Sequence, residues 1–204
     1  MIILAIDTST PRGSVALWQD GAITFQETFE AGRSHSSVLF TVLERALANG
    51  VKPDVIAIGL GPGSYAGARI AISAAIGLSV AMGSALVGLP SIVALEDGDY
   101  IAVGDARRET FYFALVRAGE CVEGPQLMTR EELLGKLQKT SGLPVFASEV
   151  VSAAPDAVLR YPSAVRLVHL AAENRSIIAR GNLEPIYLRP PHITQPKARG
   201  VAES

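Results

Sequence analysis

Two apolar runs that each close on an aspartate constrain this chain more than any other feature. "MIILAID" ends at Asp7 and "YIAVGD" ends at Asp105, and each is followed by a short turn and a second apolar run. The spacing from Asp105 to Ala114 and Leu115 equals that from Asp7 to Ala16 and Leu17. Around the first aspartate the pattern extends to βββαβα. Asp20-Gly21 between two strand-like runs predicts a hairpin, and Ile23, Phe25 and Phe29 at period two predict one buried face on the third strand. "RSHSSVLFTVLERALANG" predicts a helix capped at Ser34 and stopped by Asn49-Gly50, with Val38, Leu39, Val42, Leu43, Ala46 and Leu47 on one stripe. A buried strand, "DVIAIGL", precedes a helix that opens at Ser64.

The second half repeats this less completely as ββαβα, with room for a third strand around Cys121. Thr129 and Glu132 form a capping box, "LPVFAS" is a strand, and "SAVRLVHLAAENRSIIARG" reads as a helix stopped by Gly181. The expected fold is therefore α/β, two duplicated βββαβα lobes with the second reduced. The divisions are an amino-terminal lobe over residues 1–98, a smaller lobe over 99–184 and an extended tail over 185–204.

Composition narrows the function. A formal charge of −2 excludes a dedicated nucleic-acid binder, although seven Lys/Arg against three Glu from Arg160 onward leave a basic carboxyl end that reads as a solvated face. A single cysteine, Cys121, excludes disulfides within the chain and thiolate metal clusters, which fits the cytoplasm. The opening stretch reads as a strand rather than a signal peptide. Ile70 to Leu89 is uncharged and nominally long enough to span a bilayer, but its glycines and serines favour a buried helix to about Gly83 and a strand "ALVGL".

The stretch "GLGPGSYAGARIA" matches G-x-G-x-x-G/A at Gly61, Gly63 and Ala66. It follows the fourth strand rather than the first, and no acidic residue lies between Leu86 and Pro90 to hold a ribose, so the dinucleotide fingerprint fails. Small residues at Gly63, Gly67, Ala71, Ala75, Gly77 and Ala81 instead favour close helix contact, inside the fold or across subunits. Arg69, in the first turns of this helix, opposes the dipole and should have a carboxylate or carbonyl partner. Asp7, with Thr8 and Ser9, is the candidate nucleotide-binding group. The competing reading is that Asp7 and Asp105 bond the amides of their own turns. His35, His169 and His192 are too scattered for a metal site.

The segments "DTST" at Asp7, "RSHS" at Arg33, "GPGSYAGARIA" at Gly61, "DARRETFY" at Asp105 and "PIYLR" at Pro185 together resemble the TsaB (YeaZ) family. The resemblance implies an actin-like, ribonuclease-H-like (ASKHA) fold. It also implies a non-catalytic subunit that pairs with a TsaD-like catalytic subunit and a TsaE-like ATPase. That system makes N6-threonylcarbamoyladenosine next to the anticodon of tRNA, so this chain meets tRNA through the complex. Alone, the chain is expected to form a homodimer, with no membrane association and no cofactor of its own. ATP or ADP is allowed only at the partner interface. Where TsaD-like relatives carry an H-x-x-x-H pair, this chain has His35 and Leu39, which implies a degenerate metal site. The implied interface is the two helices of the first lobe, with His35, Phe40, Ser64, Tyr65, Gly67, Arg69 and Ala71 as candidate contacts. Tyr65-Ala66 and Ala68 replace the family's usual Phe-Thr and Leu. The rival reading is an ATP-dependent phosphotransferase or an M22-type peptidase of the same superfamily.

Overall fold

The computed structural model describes residues 1–30 and 35–189, with the side chains of His35 and Ser36 outside the described set. The first lobe comprises β1 (Ile2–Asp7), β2 (Arg12–Gln19), β3 (Ala22–Glu30), α1 (His35–Ala46), β4 (Val55–Gly59), α2 (Tyr65–Met82) and β5 (Ala85–Leu89). The second comprises β6 (Tyr100–Asp105), β7 (Thr110–Arg117), β8 (Glu120–Thr129), α3 (Arg130–Lys139), β9 (Val145–Ala147) and β10 (Val158–Leu159). The chain then runs through α4 (Ala164–Ala172) and β11 (Ala179–Arg180). One sheet is ordered β11-β5-β4-β1-β2-β3 and the other β10-β9-β6-β7-β8. In both, a leading strand pairs antiparallel with the next and parallel with the strand after the first helix. The duplication is thus present in the pairing itself, and β8 is the third strand expected around Cys121.

The second lobe is reduced at one connection. α2 joins β4 to β5, whereas the chain from β9 to β10 contains no helix. The run after Ser163 also differs from its expected form, because the helix ends at Ala172 and not at Gly181. Asn174 and Ser176 take left-handed backbone (φ 58° and 56°), which stops the helix and frees β11 to pair with β5.

Alternation along the strands divides the first core by sheet face. Leu4, Ile6, Val15, Leu17, Ile56 and Ile58 pack under α1 and α2, while Ile3, Ala5, Ala16, Ala57 and Val87 pack under α4. The expected stripe of α1 lies inward, with Leu39, Val42, Leu43 and Ala46 buried. The hairpin at Asp20-Gly21 forms, but Ile23 does not share a face with Phe25. Leu17 faces Phe25 and Trp18 faces Ile23, so a bulge at Thr24 switches the alternation and sends Ile23 toward α4. α2 is the one described helix long and apolar enough to cross a bilayer by length and composition. Here its Ala71, Ile72, Ala74 and Ala75 are buried, Gly83 ends it in the left-handed region (φ 76°), and β5 follows as expected.

α4 and β11 come from the sequence between 99 and 184, yet both lie on the first sheet. The amino terminus of α4 takes its cap from across the molecule. Ser163 offers no side-chain cap, and the Ala164 amide donates to Ser14 Oγ on β2 at 3.0 Å. Ser14→Ala should therefore cost about 1 kcal/mol, as loss of a helix cap does, which urea unfolding will read directly.

Candidate functional site

The loop after β1 and the glycine turn after β4 meet edge to edge. Ser64 N donates to Ser9 O at 2.5 Å, and Thr8 Oγ1 donates to Gly67 O at 2.7 Å. A Cβ on Gly63 would lie 2.1 Å from Ser9 O, and one on Gly67 1.8 Å from Thr8 O. These glycines exist so that the "DTST" loop can lie against the start of α2. Ser64 caps the helix, accepting from Gly67 N at 3.2 Å. The Ser64 and Gly67 amides at the helix start are thus bonded to the chain's own loop and cap.

Asp7 is wholly buried. Its Oδ1 accepts from Ser9 N at 2.8 Å and from Ser9 Oγ at 2.7 Å, while Oδ2 has no hydrogen-bond partner among the described residues. Asp105 mirrors it, with Oδ1 accepting from Arg107 N at 2.6 Å. Both aspartates thus close their own turns. Burial pushes the Asp7 carboxyl above its ordinary range, an effect that Ser91 and Ser9 partly offset. The native state then holds a proton that the unfolded chain, with an ordinary value of 3.8, releases first. Stability contributed by Asp7 is therefore greatest below that value and is lost as pH rises toward the folded pKa. Asp7→Asn keeps the Oδ1 acceptor and cannot ionise. Its stability relative to the parent chain should rise as pH is raised above 3.8 in paired denaturant titrations, since only the parent carries this slope.

An open cleft of about 1260 Å³ runs between the lobes, with Ser9, Tyr65, Arg107, Tyr112, Glu149 and Tyr187 in its walls. Thr8 and Ser9 are buried, and only Ser9 of the three candidate nucleotide residues reaches the cleft wall. The chain after β11 crosses the cleft. Ile186 N donates to Leu60 O at 2.8 Å in the first lobe, and Leu188 packs against the hydrophobic cluster that includes Tyr100 and Tyr112 of the second. Tyr187 stacks on Tyr65 with ring centroids 4.8 Å apart, and the Arg69 guanidinium sits 4.2 Å from the Tyr65 centroid. The carboxylate or carbonyl expected for Arg69 is thus replaced by an aromatic face.

The first-lobe helices present a second surface. Phe40 on α1 is 56% exposed, and on α2 Ile76 and Val80 are 45% and 83% exposed. Tyr65 and Arg69 lie on the exposed side, Ser64 is half-buried, and Gly67 and Ala71 are turned inward against Thr8 and the core. His35 opens α1, its side chain outside the described residues. Sequence reasoning passed over Ile76 and Val80. The signal was there, since a helix apolar on all sides keeps one apolar face after the sheet has covered the other. It also passed over Tyr187 and the Arg107–Arg108 turn, which only the folded chain brings to the cleft.

Three of the five described basic side chains of the carboxyl end form ion pairs. Arg160 and Arg166 both hold Glu96, Arg166 also holds Asp97, and Arg175 holds Glu173 and Glu120. Lys197, Arg199 and His192 lie outside the described residues. Among the described residues no three His, Cys, Asp or Glu side chains group closely enough to hold a metal ion.

Two sheets of one topology flanking a cleft define an α/β protein of the actin-like, ribonuclease-H-like class. Residues 29–166 match the family model of TsaD, tRNA N6-adenosine threonylcarbamoyltransferase. The chain is 29% identical to the tRNA threonylcarbamoyladenosine biosynthesis protein TsaB of Escherichia coli (strain K12), over 93% of this chain and 95% of that one. It is 26% identical to TsaB of Haemophilus influenzae over 93% and 94%. A solved Pseudomonas aeruginosa structure, described as an uncharacterized protein with similarity to peptidase YEAZ, superposes with a TM-score of 0.74 at 25% identity, covering 92% of this chain and 99% of that one. The chain belongs to the TsaB/YeaZ family.

Proposed function

We propose that this chain is a non-catalytic partner subunit in the biosynthesis of N6-threonylcarbamoyladenosine in tRNA. In this reading it acts in the cytoplasm and binds a TsaD-like catalytic subunit through α1 and α2. It supports transfer of the threonylcarbamoyl group to the adenosine next to the anticodon, with a TsaE-like ATPase serving the complex. The observation that carries the reading is the exposure of apolar Phe40 on α1 and of Ile76 and Val80 one turn apart on α2, two helices in contact with each other. An apolar face of this kind marks a protein contact. The names of the relatives point to the same process. Alone, the same face would pair two copies of the chain.

Sizing chromatography of this chain mixed with a TsaD-like protein tests the reading. The expected result is a joint species at micromolar concentration, eluting ahead of either component. Separate elution of the two proteins would overturn it, as would peptide hydrolysis or phosphoryl transfer by this chain alone.

A further inference from the structure

The two lobes are joined at two separate places, and by unlike means. The chain crosses between them at residues 90–99 and again at 160–163, and these crossings lie together. Ser163 N donates to Ala94 O at 3.0 Å, and Glu96 holds both Arg160 and Arg166. The β7–β8 turn joins the same seam, where Gly119 O accepts from Ser176 Oγ at 2.6 Å. None of these residues lines the cleft. Two bodies bonded along one such edge keep one easy motion, a rotation about that edge. At the cleft mouth, residues 185–189 bridge the lobes as a strap. Ile186 packs against the first-lobe cluster, Leu188 against the second-lobe cluster, and Arg189 Nη2 donates to Thr110 Oγ1 on β7. Tyr187, between these anchors, lies on Tyr65, and the two residues stay 39% and 40% exposed. No residue of the strap from Ile186 to Arg189 is fully buried. A segment held by so few buried contacts is one that opens before the core does.

Tyr65 carries this fastening onto α2. Tyr65, Arg69, Ser73, Ile76 and Val80 are all exposed and follow one another at three- or four-residue spacing, so they form one stripe about 22 Å long. A body that covers Ile76 and Val80 and continues along the stripe reaches the Tyr65–Tyr187 pair. We infer that the strap is a clasp whose closure fixes the angle between the lobes, and that a partner lying along α2 keeps it closed by covering Tyr65 and Tyr187. For the identity of that partner the inference rests on the subunit reading, whereas the clasp belongs to this chain alone. The coupling is one of linkage. A partner that touches only the closed clasp draws the population toward it, and a chain whose clasp is open binds that partner more weakly.

Distances between two spin labels on the full chain test the clasp. Labels at Gln26→Cys on β3 and Lys139→Cys on α3, both exposed, mark one point in each lobe once Cys121→Ser has removed the native thiol. With the strap intact the distance distribution should be single and narrow. Tyr187→Ala/Leu188→Ser should broaden it or add a second distance, and Tyr187→Ala alone should do so to a smaller degree. Tyr187 is exposed, so the single variant keeps its fold and carries the test even where the double one does not. Leu134→Ser, exposed on α3 outside the cleft, should leave the distribution unchanged. Addition of a TsaD-like protein, with binding followed by sizing, should return the Tyr187→Ala distribution to the parental one. Distributions of the strap variants that match the parent's overturn the inference. So does a Tyr187→Ala chain that co-elutes with the partner and stays broad. A parent chain that does not co-elute with the partner counts against the subunit reading instead, and the labels on the chain alone still decide whether the strap is a clasp.

Discussion

Gly67→Ala should destabilise the chain by about 3 kcal/mol, the upper range for forcing an atom into packed space. The added methyl would sit 1.8 Å from the Thr8 carbonyl oxygen, and that atom is backbone in a buried loop. Neither side can yield without breaking the Thr8 Oγ1 to Gly67 O bond or shifting α2 off the "DTST" loop. Gly77→Ala in the same helix is the matched contrast. Nothing lies within 4 Å of its added Cβ, so the change should stabilise by about 0.5–1 kcal/mol through helix propensity. Urea unfolding of the two variants beside the parent chain separates a glycine kept for contact from one kept for no internal reason. Equal effects would remove the account of the glycine turn given above.

Val80→Glu should leave folding almost untouched and remove partner binding. The side chain is 83% exposed, so the stability change should stay within about 0.5 kcal/mol. If α2 docks a TsaD-like subunit, a carboxylate placed in the apolar face would be desolvated without a partner and should weaken the complex by about 2 kcal/mol or more. Phe40→Ala on α1 tests the same surface from the neighbouring helix. Thermal unfolding and sizing of each variant with the partner read the two quantities separately. Complex formation at parental affinity by both variants would move the interface elsewhere.

Most of the architecture was legible because local signals agreed with one another. The Asp-Gly hairpin, the α1 stripe, the capping box at Thr129 and Glu132, and the repeated strand ending in aspartate each specify short-range geometry. The failures were long-range or depended on one residue. The bulge at Thr24 moved Ile23 to the other face, and nothing in an alternating strand announces an extra residue. The stop at Asn174 was hidden inside a run that still looked helical through Ile178. The cap of α4 by Ser14 joins distant segments, so no local motif encodes it.

The candidate site was read less completely than the fold. Phe40 and Tyr65 are exposed as an interface requires, while Gly67 and Ala71 carry the right residue types for close contact but spend them inside the chain. Small residues at helical spacing report only that something approaches closely. Which backbone does so is fixed by tertiary structure, here the loop after β1. Asp7 shows the same limit, since a strand-ending aspartate reads alike whether it faces a cleft or lies wholly buried within its own turn.

The return of α4 to the first sheet sets an order on biosynthesis. Ile3, Ala5, Ala16 and Ala57 are covered by a helix that ends at Ala172, so a ribosome that has released only the opening half of the chain leaves that greasy underside wet. The leading strands must wait, loosely held, for the late helix to arrive before they are finished on both sides. A gene cut between the halves would therefore yield two unfinished products rather than two independent folding units.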